Sequence, residues 1–329
     1  MSVANASPFA ATGVPLLAPD GREQVVLVVK ATFTLSPNDK LVIADDQIPV
    51  RLGDQPYRDD GIDSSILFPS DVGLAKRGVD ILVVGEAVSS KPVRVLDVAA
   101  KIGKQTVSLR VHGERVYYRS GGKVAVGPAA PFERKAIVYE NAYGGATADF
   151  QVIERRNPVG RGVCHHETDL IDTKAPSIEH PAEPITSAAD KPSPVGFGAI
   201  ATHWQPRSNF AGTFNETWRK TRLPLMPLDF DIRYWNIAHP TMQVDSLPVQ
   251  TPIAVLGMRD GPVFRFDLPD LRITSFARTE DGKTLTLRPA VDTVLVVPGQ
   301  NRVELVARAI FPMGRGKTSL REVRVTTDD

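Results

Sequence analysis

Apolar residues along this chain recur mainly with a period of two. Across 25–35 the odd positions Leu27, Val29, Ala31, Phe33 and Leu35 are apolar, while Lys30, Thr32 and Thr34 take alternate positions. This is the pattern of a strand with one face on a core and a polar opposite face. A Ser36-Pro37-Asn38-Asp39 turn separates it from a second expected strand at 41–50. Similar runs predict strands at 79–84, 93–102, 106–111, 132–139, 253–257, 263–266, 271–277, 291–297 and 302–311. His112-Gly113-Glu114-Arg115 and Glu280-Asp281-Gly282-Lys283 read as the turns between neighbouring strands. Short strands at intervals of roughly ten residues predict a mostly β protein with antiparallel, sandwich- or barrel-like sheets.

Two stretches break the pattern. In 151–203 the run Asn157-Pro158-Val159-Gly160-Arg161-Gly162 can continue neither a helix nor a ladder, and prolines recur at 176, 181, 184, 192 and 194. A long ordered loop or clasp across the fold is expected here, with an unstructured linker as the competing view, and NPVGRG is expected as a turn whose glycines adopt conformations that side chains resist. The second stretch, 204–238, holds all three tryptophans, Trp204, Trp218 and Trp235, interleaved with Arg207, Arg219, Arg222, Arg233, Asp229 and Asp231. Thr213 and Glu216 have capping-box spacing, and Trp218 follows Phe214 by four. They predict a helix near 214–221, stopped by Pro224 and Pro227, among one or two short helices in all. The chain then divides into an N-terminal β-rich lobe (1–150), the Pro/Gly-rich loop (151–203), and an aromatic helical segment with a C-terminal β-rich lobe (204–329). The two β-rich parts are either separate lobes or two sheets of one body.

Composition narrows the function. A formal net charge of +1 over 329 residues gives no strong pull toward nucleic acid or an anionic membrane. A lone cysteine, Cys164, leaves no internal disulfide and fits a reducing compartment. No signal-peptide pattern or membrane-length apolar run occurs, so a cytoplasmic location is expected.

Candidate chemistry is sparse. Cys164-His165-His166-Glu167, with Asp169 and His180, is the densest set of metal-ligand residue types, but neighbouring histidines point oppositely in an extended chain. A solvated loop is the plainer reading, and no metal or cofactor is expected. No Walker loop, GxGxxG, GxSxG or HExxH is present. Asp229 and Asp231 have the spacing of a carboxylate pair, and nearby arginines make structural ion pairs the simpler use for them. Each tryptophan belongs either to the core or to an interface, and large rings are mostly buried.

A series of motifs adds to this reading. Lys30-Ala31-Thr32-Phe33, SDVGLAKRGVDILVVGEA (70–87), KIGKQTVSLRVHGERVYYR (101–119), ENAYGG (140–145), NPVGRG (157–162), GFGAI with WQPR (196–207) and GTFNETWRKTRLPLMPLDFD (212–231) occur in that order. Together they resemble the bacterial domain of unknown function numbered 2169, over roughly residues 15–275. The resemblance implies a non-enzymatic adaptor or chaperone that binds a type VI secretion effector and helps load it onto the spike or spike-tip protein. It supplies no catalytic residues. Aromatic and arginine side chains are enriched at interface hot spots, which points to Arg207, Trp218, Arg219 and Arg222 as partner contacts. Asp71, Lys76, Asn157, Pro158, Gly160, Gly162, Trp204, Asp229 and Asp231 are expected to hold the motifs together. The competing expectation is a carbohydrate-binding or hydrolytic β protein that uses Asp229 and Asp231.

Overall fold

The computed structural model describes residues 3–58, 64–314 and 319–327. Its longest strand, Glu23–Leu35, lies between Arg302–Pro312 on one side and Ala10–Leu17 with Leu41–Ile43 on the other. Ala290–Val297, Val79–Val83 and Gln243–Val244 extend this sheet to seven strands, so both ends of the chain share one hydrogen-bonded ladder. A five-stranded sheet runs Ile178–Glu179, Gln105–His112, Val95–Ile102, Pro252–Leu256, Phe264–Asp267. A four-stranded sheet runs Val3–Asn5, Leu320–Thr327, Ile273–Thr279, Thr284–Leu287. Pairing is mostly antiparallel, and among the described residues no sheet closes into a barrel.

One apolar cluster joins these layers. Leu27, Val29 and Ala31 of the large sheet pack in it with Val98, Leu109 and Ile253 of the five-stranded sheet and Ala277 and Val323 of the four-stranded one. Burying such side chains contributes about 1.5–3 kcal/mol each, which makes this cluster the main source of cohesion.

The alternate face of the large sheet departs from expectation. Lys30, Thr32 and Glu304 point away from the apolar core as the pattern predicts, yet each is no more than 1% exposed. The loops before and after residue 71 cover this face and bring counter-charges. Lys30 Nζ lies 2.9 Å from both Asp71 Oδ2 and Glu304 Oε2, and Arg51 binds both Glu304 oxygens at 2.6 and 2.9 Å. Arg308 pairs with Asp292 in the same layer. Lys76 Nζ reaches Asp80 Oδ2 at 2.8 Å and Thr293 Oγ1 at 2.7 Å. Asp80 also accepts the backbone N–H groups of Ile237 at 3.0 Å and Ala238 at 3.2 Å, so this ionic layer anchors the end of the aromatic segment. A period-two pattern distinguishes the faces of a strand but not solvent from a buried charge network.

Two strand boundaries are corrected and one strand is added. The expected 41–50 strand ends at Ile43, because the Gln47 side chain takes over pairing with Thr32, donating to its carbonyl and accepting its N–H, both at 2.9 Å. The 93–102 run begins only at Val95: Glu86–Val93 pairs with Phe132–Ala136 instead, and the chain changes sheet between them. Ala10–Leu17 went unpredicted because Gly13 and Pro15 interrupt its pattern, and proline is tolerated on an edge strand.

The 151–203 stretch is woven into the fold. Ile178–Glu179 joins the five-stranded sheet, and the Phe197 carbonyl accepts the Val83 N–H at 3.1 Å. Glu179, 2% exposed, receives His112 Nε2 at 2.8 Å, Arg115 Nη2 at 3.0 Å and the Ile185 N–H at 2.9 Å. Arg115 meanwhile donates to the Pro176 and Ile185 carbonyls. A buried ion pair thus satisfies the proline-rich backbone, which has few ladder bonds of its own.

Candidate partner-binding surface

ENAYGG and NPVGRG form one structure. Tyr143–Gly144 pairs in parallel with Arg161–Gly162. Asn157 is wholly buried, and its Nδ2 donates to the Tyr139 and Tyr143 carbonyls at 2.8 and 2.9 Å. Pro158 follows it at the second position of a turn closed by the Gly160 N–H on the Asn157 carbonyl at 3.3 Å. Gly162 has a φ of +105°, as expected of a motif glycine. Gly160 does not need a positive φ; what it needs is space, since a Cβ there would lie 2.4 Å from Asn157 Nδ2 and 2.7 Å from the Ala142 carbonyl.

The aromatic segment rests on this base. Trp204 is 1% exposed, stands edge-on to Tyr139 at 5.5 Å between ring centres, and donates through Nε1 to His203 at 3.0 Å. Arg207, expected at a contact surface, is instead buried: its Nη1 donates to the Ile200 carbonyl at 2.6 Å and its Nε to that of Tyr234 at 3.0 Å. A planar guanidinium gathers several carbonyls that no ladder satisfies, which is why an arginine is retained inside.

The helix is Glu216–Thr221, shorter than expected and capped differently. Asn215 Oδ1 accepts the Trp218 N–H at 2.9 Å. Thr213, the expected cap, is tied instead to Asp229, whose carboxylate accepts its N–H at 2.9 Å and its hydroxyl at 2.7 Å. The Asp229 contact, made across the segment, takes Thr213 away from the helix and leaves Asn215 as its cap. Trp218 is half-buried, packs edge-on against Phe214 at 4.7 Å, and donates from Nε1 to the Leu225 carbonyl at 2.8 Å. Arg222 is half-buried too and joins the Met226 carbonyl to that of Pro19 at 2.8 Å. Arg219 is exposed beside Glu216. Asp231 receives the Arg233 N–H at 2.9 Å and its Nη2 at 2.6 Å, and the Arg233 guanidinium lies 4.2 Å over the Phe210 ring.

This bracing presents apolar side chains that the sequence reading did not single out. Phe214 is 54% exposed, Leu223 60%, Leu228 85% and Ile232 43%. Exposed apolar residues concentrated on one braced segment mark an interaction surface more often than isolated ones do. Leu223 and Leu228 stand beside prolines, but so does Leu268, which is 3% exposed, so the sequence carried no signal that set them apart.

The titratable groups are committed elsewhere. The hydrogen bond from the Thr213 hydroxyl holds Asp229 below the usual carboxylate range, and the one from the Arg233 side chain does the same for Asp231. Burial pushes the Cys164 thiol up, away from the thiolate a nucleophile needs. His165 pairs with Asp149 at 3.0 Å, and Asp169 Oδ2 accepts the His166 N–H at 2.9 Å. Among the described residues these groups do not converge on a common point for an ion. No helix among them is long and apolar enough to cross a membrane.

The architecture is that of a mostly antiparallel β protein, its sheets held by an ordered clasp and topped by one braced aromatic segment. The chain belongs to the DUF2169 family, described as an uncharacterized protein conserved in bacteria, which matches residues 20–308. The match begins before the seven-stranded sheet's longest strand and extends into its last, so it reaches further along the chain than the motif series. No curated protein and no solved structure matches the chain.

Proposed function

We propose that this protein is a non-enzymatic adaptor that binds a type VI secretion effector and helps load it onto the spike or spike-tip protein. The observation that carries the reading is the set of exposed apolar residues Phe214, Leu223, Leu228 and Ile232 on a segment braced from beneath by Asp229, Trp218 and Arg222. A rigid mount loses little conformational entropy on association, and a cluster of exposed apolar groups gains from being covered. The motif series supports the partner class. Of the residues expected at the contact, Trp218 and Arg219 fit such a surface, Arg222 serves as its brace, and Arg207 lies beneath it.

The hydrolytic alternative finds no support in this geometry. Asp229 and Asp231 are each tied to a neighbour and held as carboxylates, whereas hydrolysis of a glycosidic bond needs one of the pair to keep a proton.

The test is to co-express effector and spike with and without this protein and to recover the spike. The effector should travel with the spike only when the adaptor is present; loaded effector from cells lacking it would refute the role. Leu228→Asp and Arg219→Ala, both exposed, should keep the wild-type melting temperature. Removing a true anchor costs about 2 kcal/mol, a loss of roughly thirtyfold in affinity. Undiminished recovery with both variants would move the contact elsewhere while leaving the adaptor role intact.

A further inference from the structure

Two ammonium groups flank one carboxylate beside the clasp, and the charge of a third cation, from NPVGRG, acts on it as well. Glu114 lies in the turn after Gln105–His112, Lys135 on Phe132–Ala136, and Arg161 and Lys174 both in the 151–203 clasp, Arg161 within its NPVGRG motif. Lys174 Nζ contacts Glu114 Oε1 directly, and Lys135 Nζ lies 3.8 Å from Oε2. Arg161 is half-buried with Nη1 enclosed and without a hydrogen-bond partner, and its charge acts on both Glu114 and Lys135. No other carboxylate among the described residues forms an ion pair with any of the three.

The balance is uneven. One negative charge faces three positive ones, and Lys135 keeps only 16% of its side-chain surface in solvent while Glu114 keeps 40%. Burial lowers the affinity of Lys135 for its proton; Glu114 opposes this, and the fields of Arg161 and Lys174 add to the lowering. Packing a partly buried ammonium among like charges is unfavourable unless an anion is shared among them. Glu114 keeps 40% and Lys174 59% of their side-chain surface in solvent, so a second anion can reach the ammonium groups that Glu114 now holds.

We infer that Lys135, Arg161 and Lys174 form an oxyanion site for a carboxylate or phosphate group, in which Glu114 is the resident counter-ion that the ligand competes with. The two ammonium groups offer adjustable donors and the enclosed Arg161 guanidinium adds its charge behind them, a combination suited to an anion with two or three oxygens. The ligand comes either from an acidic protein segment or from free phosphate, and the two sources share this chemistry.

Calorimetric titration of the full chain tests it, at low ionic strength where surface charges are least screened. Inorganic phosphate and a short Asp/Glu-rich peptide are the probes, with chloride at matched ionic strength as control. Saturable binding of at least one probe is expected, and the tighter of the two identifies the source. Lys135→Gln and Lys174→Gln should each weaken it about tenfold, the worth of a charge-assisted hydrogen bond. Glu114→Gln should tighten it, because it removes the competitor; a cluster with only a structural role would not respond in that direction. Lys174 is 59% exposed, so its variant keeps the test valid even if Lys135→Gln lowers the melting temperature. Absence of saturable binding by either probe, or weaker binding in Glu114→Gln, would overturn the assignment.

Discussion

Among the described residues Glu304 is the carboxylate of the buried ionic layer with the most cationic partners, and neutralising it is the sharpest test of how that layer works. Its carboxylate, on a side chain 1% exposed, faces three cations: Arg51 at 2.6 and 2.9 Å, Lys30 at 2.9 Å and Arg302 at 3.0 Å. Glu304→Gln keeps the shape but, among the described residues, leaves those cations with Asp71 as their one ion-paired carboxylate, through its contact to Lys30. Removing one member of a buried ion pair costs about 3–5 kcal/mol, a large part of the 5–15 kcal/mol that holds a typical domain folded. Lys30→Met also takes the cation from Asp71, but Asp71 keeps the Arg51 backbone N–H at 2.7 Å and Glu304 still faces two guanidiniums, so its cost should be smaller, about 0.5–3 kcal/mol. Urea unfolding extrapolated to water separates the two values. Burial raises the Glu304 pKa, but the Arg51 hydrogen bond and the fields of Lys30 and Arg51 outweigh it, so the folded value lies below the usual one. A depressed pKa contributes stability above the unfolded value, about 4.3, and that stability is lost as pH falls through the folded value. The gap between wild type and Glu304→Gln should therefore narrow on acidification below about pH 4.3. A Glu304→Gln cost under about 1 kcal/mol, or one no larger than that of Lys30→Met, would refute the claim that this carboxylate organises the layer.

Two further expectations follow from the interlocked motifs and the clasp. Gly160→Ala places a methyl group against Asn157 and the Ala142 carbonyl and should cost about 1–3 kcal/mol, with Gly160→Val worse; unchanged thermal melts in both would contradict the close packing. Burial raises the Glu179 pKa, but hydrogen bonds from His112 and the Ile185 N–H, with the Arg115 charge, bring it below the usual range. Its hold on the clasp should thus weaken as pH falls through that depressed value, and hydrogen exchange of residues 176–185 should rise in acid for wild type but be raised already at neutral pH in Glu179→Gln.

Period-two alternation along 25–35 and 302–311 was enough to establish a β protein, because an apolar face must be buried whatever lies against it. Turn chemistry placed several strand ends for the same local reason. The four-residue spacing of Phe214 and Trp218 with the stop at Pro224 located the helix within two residues, although the expected cap at Thr213 was wrong, because a tertiary contact to Asp229 claims that side chain. What lies opposite a face, however, is settled by residues far away in the chain. Lys30 sits in a strand whose alternate positions look solvated, and only the fold brings Asp71 and Glu304, 41 and 274 positions away, to bury and neutralise it. Arg207 and Arg222 read alike in sequence; one lies beneath the Ile200 and Tyr234 carbonyls and the other braces Met226 against Pro19. Leu228 was one apolar residue among many until the turn at Pro227 left it exposed. Local patterns are dictated by hydrogen bonding and periodicity within a few residues, so the sequence carries them openly. The partners of a charge and the exposure of a side chain depend on loop closure across hundreds of residues, which only the tertiary structure decides.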